Sequence, residues 1–509
     1  MAKKNERGVA LILTLILLAV LSVMAISLLF IGQSETWGSM NYRLMTQARY
    51  GAEAGVNSAA NWIQNSYTTP TAAQIAGMTV SASPVQYNGS DVALSTISSK
   101  QNYPDSTVQT SFASNAGGSI TAGNTTITYK PTATLLGVQS FTGYPAATTN
   151  VVQKWLITSS ATINGVRSAE VQVSAIMEQQ KTPTFAYAAF ATATGCGALS
   201  FGGGGSTDSY DSASITYSGG SVVTQAYGGN VGTNGNLSAS GSTTTINGSL
   251  STPRSGTGSC STSTVTALSS NGNASVTGGI TELPQAVTYQ TPPTPNPAAS
   301  NTAMSVANSK PDCTGIPSCS LTNGNNDMVI TAGAAASGSN PAANATVLGA
   351  LTIKGNLHFA PPAGTSPGAP VYINVYSLST NGNPNIYIDP IPGTSPAKYA
   401  QIVVNVMPAG TIDLTGSTLS NPSLIPGNFQ ILYGGTNQVT INGGTQTASL
   451  VYAPNAPFKL NGGGNLYGAV VAGQITDLGG GAIHYDRELE KEFFQLGSYM
   501  LSAFNWQKY

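Results

Sequence analysis

Three patterns of apolar and polar positions follow one another along the chain. From Val9 to Ser34 there are 26 consecutive residues without a charge, most of them aliphatic. About 20 apolar residues in a helix cross a bilayer, whereas a signal-peptide core is roughly 7 to 15 residues long. The run therefore predicts a retained membrane span. Behind it, residues 35 to 65 contain no proline and place Trp37, Met40, Leu44, Ala48, Ala52, Gly55, Ala59 and Ile63 at steps of three or four. That is the period of a helical stripe, so span and stripe together predict one helix over 9–66, roughly 85 Å long at 1.5 Å per residue. Alanine and glycine dominate the second half of the stripe, with Ala48, Ala52, Glu53 and Gly55 in one block. Small residues admit close approach, and the expectation is packing against a sheet, copies or partners.

The second pattern is alternation. In WLITSSATINGVRSAEVQVSAIME, residues 155 to 178, two runs of period two flank Asn164-Gly165, the strongest short-range hairpin signal. Residues 67–181 therefore read as a small antiparallel domain, and the proline in KTPTF, residues 181 to 185, marks its boundary. The third pattern fills 182–485 with short β-rich runs between Gly and Asn turns. Near its end Ile441, Leu460 and Leu478 each precede a glycine-rich turn, 19 and 18 residues apart. A step near 20 suggests stacked rungs of a parallel β-helix; a β-sandwich with Gly-rich hairpins is the alternative. The fold class is mainly β with one long N-terminal helix. HYDRELEKE at 484 to 492, followed by Phe493, Phe494, Leu496, Tyr499, Met500, Leu501, Phe504 and Trp506, gives an amphipathic tail, and 486–509 is expected to cap the solenoid.

Charge fixes the orientation of the span. Lys3, Lys4 and Arg7 precede it, and short basic flanks stay cytoplasmic, so the bulk faces the periplasm or the exterior. The whole chain carries only 18 basic and 19 acidic residues, for a net charge of −1. Nucleic-acid binding needs clustered Lys and Arg, and this composition supplies no such patch.

The basic leader ending in Gly8, the helix beginning VALIL, and the GAEAGV block at 51 to 56 resemble the N-terminus of PilX-type type IV pilus assembly proteins. The resemblance covers about 60 of the 509 residues. It implies a leader, 1–8, cut between Gly8 and Val9 by a prepilin peptidase, with other pilins and pilus assembly proteins as partners. It also implies an inner-membrane anchor with a periplasmic bulk, displayed on a pilus or the cell surface after assembly. Major pilins carry a glutamate at the fifth mature position, where this chain has Leu13. An intramembrane acid costs roughly 3 kcal/mol unless paired, and Leu13 cannot form the pair with a neighbour's terminal amine that the family pattern implies. That departure implies a minor subunit rather than a shaft subunit. The alternatives are an uncleaved, membrane-anchored surface adhesin, or a K-type pseudopilin of type II secretion.

Catalysis is not expected. The acids between 182 and 483 are scattered, and no HExxH or phosphate loop occurs, so the convergent groups that hydrolysis needs are missing from the pattern. Neither a cofactor nor a resident metal is expected; Asp208 and Asp211 in a Ser/Gly loop could at most hold calcium. Cys196, Cys260, Cys313 and Cys319 all lie beyond the span, where an oxidising exterior favours disulfides. Four cysteines allow three connectivities; the short Cys313 to Cys319 interval favours a local loop, leaving Cys196 with Cys260. Polar rung faces rich in Asn, Thr and Tyr suggest contact with a glycan or another surface ligand.

Overall fold

The computed structural model describes residues 7–67, 106–145, 149–165, 168–218, 221–324, 326–338, 340–477 and 479–508, with short strands at 78–79, 86–87, 90–91 and 93–94. The chain divides into two compact units. The first comprises residues 1–141, 150–181 and 496–509, and the second 142–149 and 182–495.

The first unit is built on one helix, α1, Arg7–Asn65. Its C-terminal half lies on an antiparallel sheet that includes Thr125–Thr142, Thr149–Ile163 and Ala169–Pro183. Ala48, Ala52, Val56, Ala59 and Ile63 are buried there with Trp155, Ile157, Val171 and Val173. The expected hairpin is present, with Trp155 opposite Met177 and Ile163 opposite Ala169. The expectation for the tail is corrected here. Phe494–Lys508 is a strand that pairs with Ala169–Pro183, so this stretch belongs to the first unit's sheet. An edge strand with one apolar face buries what an amphipathic cap would bury, which is why sequence pattern did not separate the two. HYDRELEKE does form a single 3-10 turn, Arg487–Lys491, that buries Leu489 and is capped by Asp486 accepting from the Glu488 N–H.

Small residues set the helix-to-sheet distance. A Cβ on Gly55 would collide with Ser159 Oγ and lie 3.0 Å from Tyr129 Cδ2, and Ser159 is wholly buried. Gly55→Leu is therefore expected to destabilise the first unit by about 1–3 kcal/mol through overpacking. Glu53→Ala should change it by less than about 0.5 kcal/mol, because an exposed i,i+4 ion pair contributes little. Thermal melts of both variants check this, and equal midpoints would count against close packing at Gly55.

The second unit is a parallel β-helix; the ladders rule out the sandwich. Ile441 lies opposite Leu460, the expected 19-residue step, but the step widens elsewhere, as from Val371 to Ile402. Leu478 lies outside the described residues. The winding is not a simple progression. The strands of the first coil, Ala189–Ala191, Leu199–Phe201 and Ser206–Tyr210, pair on one side with Val231–Thr233, Leu237–Ser240 and Thr245–Ile246. On their other side sit the last coils of the same unit, Asn465–Asp477 and Ala482–Asp486. The solenoid thus starts in its own middle, and its final coil stacks on its first. An inward aliphatic ladder runs straight through this seam: Val404, Ile431, Val451, Val470, Ala189, Val231, Leu250 and Ile280. All are fully or almost fully buried except Ile280, the end member, which is 39% exposed for want of a further rung.

This winding requires a return path from one end of the column to the other, and residues 283–302 provide it. The segment contains Pro284, Pro292, Pro293, Pro295 and Pro297 and is neither helix nor strand. Proline cannot donate to a ladder, so rung side chains satisfy the strap's backbone instead. Asn234 Nδ2 donates to Val287 O and its Oδ1 accepts from Val287 N, both at 2.8 Å; the Tyr452 hydroxyl donates to Gln290 O at 2.6 Å; Asn374 Nδ2 donates to Pro297 O at 2.7 Å. These contacts explain why Asn374, in the apolar run YINVY, is completely buried.

Candidate functional site

Helix α1 has two unlike halves. From Val9 to Ile31 its large apolar side chains are exposed and pack against none of the described residues, with Leu13 63% and Phe30 74% exposed. By length and composition Val9–Asn65 is able to cross a membrane, and a continuous apolar cylinder in water would be strongly unfavourable. Lys3 and Lys4 lie outside the described residues. The helix runs through Arg7, Gly8 and Val9 without a break. Trp37 and Met40 are about half exposed, and burial becomes complete at Ala48 and Ala52. Of the neighbours expected for the small-residue face, a sheet, copies or partners, it is the first unit's own sheet that covers it.

Glu53 does not share that packed face. It accepts from Arg49 Nε at 2.8 Å on a half-exposed flank, and the Arg49 guanidinium also lies 5.6 Å from the Trp506 ring centre. The i,i+4 spacing of Arg49 and Glu53 signalled this pair, whereas the contact with Trp506 joins residues far apart in sequence. The exposed lower half of α1, the Arg49–Glu53 flank and the glycine-spaced contact with the sheet form one arrangement: a membrane-length apolar rod held rigidly to a folded head.

In the second unit, the candidate calcium ligands are otherwise engaged. Asp208 accepts from His484 Nδ1 across the seam, in register with it, and the imidazole lies on Tyr467 with ring centres 4.6 Å apart. Asp211 accepts from the Ala213 N–H at 2.9 Å. The Ser214 hydroxyl, that N–H and nearby Arg487 hold its carboxyl below the usual carboxylate range. His358 pairs through Nδ1 with Asp389 at 2.8 Å and stacks on Tyr387 of the next rung at 4.5 Å. Among the described residues no group of three or more His, Cys, Asp and Glu is placed to hold a metal. The disulfides join Cys196 to Cys260 and Cys313 to Cys319.

The seam also holds carboxyls under strain of burial. Asp477 is completely buried; its Oδ1 accepts from the Gly481 N–H at 3.1 Å, while Oδ2 has no partner. Burial raises its pKa above the ordinary carboxylate value, and burial does the same to Asp486. A raised acid pKa in the folded state means that the native protein holds its proton longer, so stability falls as pH rises from about 4 through the raised value. Melts of the second unit between pH 4 and 8 should show that fall, and Asp477→Asn should flatten it. An unchanged slope would mean that Asp477 does not carry it.

Residues 7–57 match the sequence profile of the PilX N-terminal family, and residues 393–492, the last coils and the 3-10 turn, match a domain of unknown function, DUF7305. No curated protein matches. Among solved structures, the competence-associated pilin ComZ from Thermus thermophilus is similar at 12% identity, over 92% of this chain and 98% of that one, with a TM-score of 0.30. The N-terminal helix thus carries the PilX-type sequence that its span and GAEAGV block resemble, and the one apolar span among the described residues suits a membrane-anchored protein of that kind.

Proposed function

We propose that this chain is a minor subunit of a type IV pilus machine, cut between Gly8 and Val9 and displaying its second unit on the outside for adhesion or partner contact. The observation that carries this reading is the division of α1: an apolar half from Val9 to Ile31 that packs on none of the described residues, continuous with a half locked to a head by alanine and glycine. A rod of that kind is stable only in a bilayer or among the helices of other subunits. Leu13 favours a minor position, because the shaft pattern pairs an acid there with a neighbour's new amine. The role is one of assembly and display rather than catalysis.

The intact mass of the membrane-extracted protein, from cells with and without an active prepilin peptidase, tests this reading. The expected chain begins at Val9 only when the peptidase is active, and it co-purifies with sheared pili. A chain that keeps Lys3, Lys4 and Arg7 in both strains would make it an uncleaved anchored adhesin. A processed chain absent from sheared pili would favour a pseudopilin.

A further inference from the structure

The outward face of the second unit bears a cavity of about 500 Å³ that the anchoring role leaves unused. Its floor is three consecutive rungs, about 4.8 Å apart. Tyr372 stands opposite Val403, Asn405 opposite Leu432, and Pro370 opposite Gln401. The proline strap at 293–296 makes one wall, and Tyr144 with Phe493, ring centres 5.3 Å apart, makes another. The volume lies within the roughly 300–1,000 Å³ of small-ligand sites, which are apolar with a few placed polar groups.

The polar groups in this cavity are amides and hydroxyls, and none of its lining residues carries a charge. Tyr372 on the floor is 8% exposed, and on the wall the Tyr144 hydroxyl is buried without a partner among the described residues. Asn405 donates through Nδ2 to Asn374 Oδ1 at 2.9 Å, and Gln430 Nε2 donates to Gly427 O at 2.8 Å and to Gln401 Oε1 at 3.4 Å. These bonds fix the amides and leave the Asn405 carbonyl and the Gln401 amino group without described partners. Buried polar groups are normally satisfied, so the buried, unpaired Tyr144 hydroxyl beside oriented, half-used amides asks for a ligand. Phosphates and carboxylates call for Arg or Lys, and amines for acids; neither is present. Flat aromatic and aliphatic surface flanked by neutral donors and acceptors suits a sugar ring, which presents apolar C–H faces and a rim of hydroxyls.

We infer that this cavity binds a neutral oligosaccharide, with Tyr372 as the floor contact and Gln401 and Asn405 as hydroxyl-reading amides. The inference gives a ligand class to the display role proposed above. It is tested on the purified full chain, where it stands or falls independently of leader processing and pilus incorporation.

The experiment is saturation-transfer NMR and calorimetry on the detergent-solubilised protein with cellohexaose, maltohexaose and chitohexaose as neutral probes, hexagalacturonate as an acidic one, and a proline-rich hexapeptide. At least one neutral sugar should bind saturably, with hexagalacturonate much weaker. Tyr372→Phe keeps the ring and removes the hydroxyl, and should weaken binding several-fold, up to about tenfold. Gln401→Ala should do the same, with thermal midpoints reporting that both variants fold. Absence of binding by all three neutral sugars overturns the inference. So does equal binding of the acidic sugar, affinity unchanged in both variants, or saturation by the peptide alone.

Discussion

Removing residues 496–509 is expected to unfold the first unit and leave the second with its thermal midpoint intact. The strand Phe494–Lys508 pairs with Ala169–Pro183, so truncation strips that strand of its neighbour and exposes its backbone groups as a new edge. Tyr499 and Leu501 pack against the core that holds Trp155 and α1, and burial pushes the Tyr499 hydroxyl up to about 12. Each such side chain contributes on the order of 1.5–3 kcal/mol when fully buried, and the contact of Arg49 with Trp506 is lost as well. Domains are stable by about 5–15 kcal/mol, so a loss of several kcal/mol is decisive for a unit this small. Differential scanning calorimetry of the truncated and full chains separates the possibilities. If the tail instead capped the solenoid, the second unit's transition would fall and the first unit's would stay.

The Cys196–Cys260 disulfide should contribute more stability than Cys313–Cys319. The first spans 64 residues and the second 6, and loop-closure entropy grows with the logarithm of loop length. The chain-entropy relation gives about 4 kcal/mol for the long loop and about 2 kcal/mol for the short one. The structural context points the same way. Cys196 follows the strand Ala189–Ala191 that forms the seam, while Cys260 belongs to the loop that lies along Leu268–Asn271, where Gly258 N–H donates to Leu268 O. The long disulfide therefore fastens the edge at one end of the column to the coil at its centre. Replacing Cys196 and Cys260 by Ser should lower the second unit's denaturant midpoint about twice as far as replacing Cys313 and Cys319. Equal shifts would mean that loop length does not govern these bonds, and no shift would mean that neither bond constrains the unfolded chain.

Both predictions depend on features that differ in how far the sequence revealed them. The helix, its apolar half, the alanine–glycine face and the hairpin after Trp155 were legible because each is encoded locally, by period and by turn chemistry. The cysteine pairing was legible because one interval is short enough to close on itself. The 19-residue step from Ile441 to Leu460 revealed a parallel stack, since neighbouring coils repeat the same inward residue. Glu53 was placed with the packed face because it sits among small residues, yet its charge puts it on the flank with Arg49. Tyr372, Gln401 and Asn405 gave no signal: they are outward positions of ordinary alternating strands, and only the register of three coils, the strap and Tyr144 makes a cavity of them. Asn374 carried a weak one, as a lone amide in the apolar run YINVY.

The sequence by itself determined that a membrane-length helix leads into a mostly β chain with stacked coils and two disulfides, because hydrophobic periodicity and turn residues act over a few positions. Tertiary structure alone decided three things. The tail completes the first unit's sheet, the last coil stacks on the first so that Ala189 sits between Val470 and Val231, and a proline strap returns along the column. Each joins residues remote in the chain. A strand edge offers the same backbone groups to any neighbour, so what selects the partner is which apolar faces remain to be covered once the local elements have formed, and that is settled by packing in three dimensions.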